Sequence, residues 1–101
     1  VQDSIAVSYA APNPFAPSDG EQALITFSLT NDALATIDVF DFSSRIVRSI
    51  TKNTFFSGRS SHHVPWDGQD KDGRDVANGT YFFRIRLDSG PVSFGKVVVL
   101  D

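Results

Sequence analysis

Four aspartates, Asp67, Asp70, Asp72 and Asp75, fall within nine residues beside Gly68 and Gly73. A loop dense in carboxylates is how hard cations such as Ca²⁺ are held. A loop of the EF-hand kind wants side-chain oxygens at its first, third and fifth positions and glycine at the sixth. Asp70, Asp72 and Gly73 fit the third, fifth and sixth, but the first falls on Gly68, which has no side-chain oxygen, and no glutamate closes the far end. Asp67, Asp70 and Asp72 are therefore a calcium candidate short of a ligand. The residues favour the other reading, in which Asp67 and Asp70 accept backbone N–H groups in successive Asx turns while the glycines supply positive φ.

The two histidines, His62 and His63, are adjacent, and adjacent side chains of a strand point to opposite faces, so they do not share an ion. With no cysteine and no third histidine a zinc site is not expected. His62 is in phase with Val64 and Trp66 and is expected to be partly buried and hydrogen-bonded. No serine sits in a nucleophile-elbow context and no recognisable scaffold places an acid–base pair, so catalytic residues and a cofactor are not expected. The single tryptophan, Trp66, has two readings: a stacking platform for a sugar ring, or a core residue whose indole N–H finds a partner at the sheet end. The second is favoured, because a platform wants a second co-planar aromatic and none is in phase. Phe40 and Phe82 fall outside the core alternation, accompanied by Asp38, Arg84 and Arg86. If their strands are neighbours they make a small aromatic and charged patch of the kind that marks a protein interface; otherwise they cover each other beneath the arginine stems.

The elements that position these residues are short and punctuated by turns about every ten residues, the pattern of an all-β sandwich. Strands are expected at Ser4 to Tyr9, Ala23 to Thr30, Leu34 to Phe42, Arg45 to Ile50, His62 to Trp66, Thr80 to Leu87 and Val92 to Leu100. Alternation places Ile25, Phe27, Leu29, Ile37, Val39, Val64, Trp66, Tyr81, Phe83 and Ile85 inward. The proline-rich segment from Ala11 to Pro17 is expected to run extended along the surface. Residues 51–61, polar apart from Phe55 and Phe56, read as a loop, and Asn78-Gly79 as a hairpin turn.

The succession Asn13-Pro14-Phe15, Ile25-x-Phe27-x-Leu29, Ile37-Asp38-Val39-Phe40-Asp41, Trp66-Asp67-Gly68-x-Asp70-x-x-Gly73 and Gly79-Thr80-Tyr81 resembles the immunoglobulin-like domain named after FlgD, the flagellar hook-capping protein. Ser44 departs from it, standing where the family usually has glycine in a turn. The resemblance implies an immunoglobulin- or fibronectin-III-like antiparallel sandwich of about seven strands. It also implies an accessory role as a C-terminal module of exported bacterial proteins, similar to the sorting domains of type IX secretion. From it follow expected sorting or anchoring at the cell surface, with a partner in the envelope machinery or a neighbouring domain. Assembly, as in the hook cap, and carbohydrate binding are the alternatives.

Composition narrows the field. The chain has 101 residues, 41% of them hydrophobic, enough for one core without staples. A net charge of −3 without basic clusters argues against nucleic acid, and no apolar run approaches the ~20 residues of a membrane span. The absence of cysteine excludes a disulfide framework and a thiol nucleophile within these residues. The absence of methionine suggests a single module, residues 1–101, excised from a larger protein and expected to be monomeric by itself.

Overall fold

The computed structural model describes residues 4–101 of the chain. Segments in which Val, Ile, Phe and Thr alternate with polar residues form seven strands among the described residues. They are β1 (Ile5–Ala11), β2 (Ala23–Leu29), β3 (Ala33–Phe40), β4 (Ile46–Phe56), β5 (Ser61–Trp66), β6 (Gly79–Leu87) and β7 (Val92–Val99). A three-stranded sheet in the order β1-β2-β5 faces a four-stranded sheet in the order β4-β3-β6-β7, and every pairing is antiparallel. The inward side chains meet as the alternation requires: Ile25, Phe27, Ile37, Val39, Phe83 and Ile85 are fully buried between the sheets. Each contributes about 1.5–3 kcal/mol of burial. Val64 packs against this core while remaining partly exposed. Gly95 lies over the Phe83 ring, where an added Cβ would collide with it.

Three expectations need correction. Residues 51–56 are not loop but the second half of β4. The reason is chemical: β4 is an edge strand with irregular register, and threonine hydroxyls of β3 and β4 bond backbone groups where the register shifts. The Ile37 N–H donates to Thr51 Oγ1 at 3.1 Å and that hydroxyl donates to the Ala35 carbonyl at 3.1 Å, while the Asn53 N–H donates to Thr36 Oγ1 at 3.1 Å. A polar sequence at a bulged edge is thus compatible with a strand.

The segment around Phe15 does not merely cross the surface. The Phe15 N–H donates to the Val98 carbonyl at 3.0 Å and its carbonyl accepts from the Leu100 N–H at 3.0 Å, a short parallel bridge to the free edge of β7. Asn13 extends the bridge with its side chain, donating to the Lys96 carbonyl at 2.9 Å and accepting from the Val98 N–H at 2.8 Å. The phenyl ring of Phe15 is 1% exposed and belongs to the core. Prolines forbid a full strand here, but one phenylalanine between two of them still pairs through its own N–H and carbonyl.

Nor does Asn78-Gly79 close a hairpin, because β5 and β6, which it joins, lie in different sheets. The Asn78 amide instead holds the end of the chain, accepting from the Asp101 N–H at 3.0 Å.

Candidate docking face

The register of the four-stranded sheet builds its outer face row by row. Phe40 pairs with Phe82 and Phe82 with Lys96; Asp38 pairs with Arg84 and Arg84 with Phe94; Thr36 pairs with Arg86 and Arg86 with Val92. Because side chains alternate, all of these project away from the core. The two phenylalanines singled out by alternation are therefore direct cross-strand neighbours, flanked by the arginines.

Asp38 departs from its expected place among exposed charges, being only 3% exposed. Its Oδ2 accepts from Arg84 Nη2 at 2.8 Å and its Oδ1 from the Ser49 hydroxyl at 2.6 Å. The Arg84 guanidinium lies 4.8 Å above the Phe40 ring, a cation–π contact that flattens it against the sheet and covers Asp38. Its Nε is buried without a hydrogen-bond partner among the described residues. Arg86 and Lys96 are exposed and have no ion-pair partner among the described residues.

Two further phenylalanines complete the face. A groove of about 360 Å³ is lined by Phe40, Phe42, Phe82 and Phe94 together with Asp41, Ser44 and Arg84. Phe82, Phe94 and Phe42 are 39%, 65% and 84% exposed. The sequence carried a signal for Phe94, since Val97 and Val99 point inward and Phe94 is out of phase with them. Phe42 shares the outward phase of Phe40 in the strand expected to reach it, but β3 ends at Phe40 and the turn that follows places Phe42. In that turn Asp41 Oδ1 accepts the Ser43 N–H at 2.9 Å and the Arg45 N–H at 3.0 Å, and Ser44 adopts φ 67°. The Arg45 amide, helped by the Ser43 amide and the Arg45 guanidinium, holds the Asp41 carboxyl below its ordinary value, against an opposing effect of desolvation.

The aspartate-rich loop repeats the device. Asp70 Oδ1 accepts the Asp72 N–H at 2.9 Å and the Arg74 N–H at 3.0 Å, with Gly73 at φ 79° in the place of Ser44. The Arg74 amide is the main cause of a lowered Asp70 carboxyl. Asp67 Oδ1 accepts the Gln69 N–H at 3.0 Å and lies 3.4 Å from Arg48 Nη1. Asp67 and Asp70 thus serve separate turns, and among the described residues no group of three or more His, Asp or Glu side chains is placed to share an ion.

Trp66 is 1% exposed, edge-on to Phe15 and Tyr81 with ring centroids 5.7 and 5.6 Å away. Its indole N–H donates to the Gln69 carbonyl at 3.0 Å. It offers no face to a sugar, which removes the stacking platform. The Tyr81 hydroxyl donates to the Ala77 carbonyl at 2.7 Å, the corner contact typical of such sandwiches, and burial pushes the phenol's pKa up. Gly68, at φ 77°, lies where a Cβ would meet Pro17 Cγ at 2.6 Å. His62 Nε2 donates to the Ser57 carbonyl at 2.8 Å, its ring 5.4 Å from Phe27 and 5.0 Å from Phe56. His63 Nδ1 lies 2.9 Å from the Thr26 hydroxyl. No described helix is long and apolar enough to cross a membrane.

Two antiparallel sheets with a tryptophan plug and a tyrosine corner define an immunoglobulin-like sandwich, in keeping with the expected fold class. Comparison with known proteins places it further: the FlgD Ig-like domain matches residues 13–91, and the chain belongs to that family. It is also similar to the C5a peptidase of Streptococcus pyogenes, 31% identical over 102 residues that take in 86% of this chain but 8% of the peptidase. Among solved structures, dimeric latent PorU from Porphyromonas gingivalis superposes with a TM-score of 0.72 at 22% identity, over 99% of this chain and 10% of PorU. PorZ, an essential bacterial surface component of the type IX secretion system of the same organism, gives 0.65 at 20% identity, over 93% of this chain and 11% of PorZ. At these identities the two structures share the fold. The chain spans about a tenth or less of each of these proteins.

Proposed function

We propose that this domain is a non-catalytic module of a larger exported bacterial protein, working at the cell surface or outside the cell. Its task is to dock a protein partner, in the envelope machinery or in a neighbouring domain, during secretion sorting or surface attachment. One observation carries the reading: the aromatic groove of Phe40, Phe42, Phe82 and Phe94 stays open on the outer face of a sandwich whose core is closed without it. Aromatic residues and arginine set in a sheet face are the composition of an interface centre. Family membership and the likeness to a sandwich within PorZ support an accessory role in an exported protein. The test is a parent protein carrying Phe82→Ser and Phe94→Ser, followed through export and surface retention. Loss of either, with the domain still folded, is expected; unchanged export and retention overturns the reading.

A further inference from the structure

Resting on that docking reading, the geometry points to an acidic polypeptide segment with one aromatic or aliphatic anchor as the partner of the outer face. The charges select it. Asp38 and Arg84 neutralise each other at 2.8 Å, and Asp41 and Arg45 pair at 3.4 Å. Arg86 and Lys96 remain, two exposed cations without an ion-pair partner among the described residues, on one face of a chain whose net charge is −3. The complement of that face is negative.

Their spacing adds the anchor. Along β7 the outward residues are Val92, opposite Arg86, then Phe94, then Lys96. Successive same-face residues are about 6.6 Å apart, so the two cations stand roughly 13 Å apart along the strand with Phe94 between them. An extended chain repeats this interval every four residues. A segment of the form Asp-x-Phe-x-Glu therefore sets both carboxylates on the cations and its phenyl ring in the groove beside Phe94 and Phe82. A second copy centred on this face does not satisfy it: a two-fold axis through the Arg86 and Lys96 pair sets cation against cation.

The probe is a short extended peptide with the central sequence Asp-x-Phe-x-Glu, titrated into the 101-residue chain at low salt and followed by amide chemical shifts. One control peptide replaces both acids with lysine and another replaces Phe with Ala. The expected result is binding that weakens at least ~10-fold with either control peptide, falls as salt is raised, and moves the amides around Phe42, Phe82 and Phe94. The double variant Arg86→Glu with Lys96→Glu should lose the acidic peptide and acquire the lysine peptide, a swap that a misfolded variant does not produce. Equal binding of the lysine peptide, or no binding of the acidic one, overturns the inference. So does a reversible dimer through the same residues in sedimentation, or shifts of the same amides by a soluble oligosaccharide in place of the peptide. If the acidic peptide fails while Phe82→Ser with Phe94→Ser still abolishes export or attachment of the parent, docking stands and this partner chemistry falls. If the parent is unaffected, the docking reading falls with it.

Discussion

Asp41 and Asp70 build the same five-residue turn twice, each carboxylate accepting the amides two and four residues on. Both carboxyls titrate below the ordinary 3.8 in the folded chain, because backbone amides hold the charged form. A folded pKa below the unfolded one contributes stability above the unfolded value, and that contribution is lost as pH falls through the folded one. Urea midpoints should therefore drop as pH falls from about 5 to 2, and Asp41→Asn combined with Asp70→Asn should flatten that slope; an unchanged slope refutes the assignment. The residue that bears on backbone strain is the fourth of each turn. Gly73 takes a positive φ without strain, whereas Ser44 at φ 67° places its Cβ against the next carbonyl. Ser44→Gly should raise stability by about 0.5–1 kcal/mol, the relief of the left-handed conformation less the extra chain entropy of glycine. Thermal melting checks this as a rise of roughly 2–8 °C.

Among the elements, the bridge from Asn13 to Phe15 does work that its proline-rich sequence conceals. It covers part of the β7 edge, which would otherwise present unpaired backbone groups to other chains. It also delivers Phe15 to the rings of Trp66, which itself meets Tyr81, joining three parts of the family pattern in one aromatic cluster. Phe15→Ala should cost about 3–5 kcal/mol, the range for a fully buried ring removed from a packed core, read from the midpoint of denaturant unfolding. A loss below about 1 kcal/mol would mean that the segment is only draped on the sandwich. The strand β4 shows the opposite arrangement, a paired strand whose sequence looks like loop because hydroxyls of Thr36 and Thr51 stand in for backbone partners.

At the scale of the whole molecule, stability and recognition are divided between the two sides of one sheet. The inner face of β3, β6 and β7 is closed against the other sheet, while the outer face carries the groove. Phe94→Ser and Phe42→Ser should accordingly leave unfolding free energy within about 0.5 kcal/mol of the parent, measured by thermal melting, whereas the same kind of change at Phe83 should not. A large loss at Phe94 would show the face to be part of the core. By itself the sequence determined the class of fold, the inward set led by Ile25, Phe27, Ile37, Val39, Phe83 and Ile85, and the outward pair Phe40 and Phe82. These follow from a two-residue period and turn chemistry, which are local properties of the chain. Only the tertiary structure decided that Phe15 is core, that Asp38 is buried under Arg84, and that Phe42 and Phe94 join Phe40 and Phe82 in one groove with Arg86 and Lys96 beside it. Those facts depend on which strands are neighbours and in what register, and register is fixed by packing between residues far apart in the sequence.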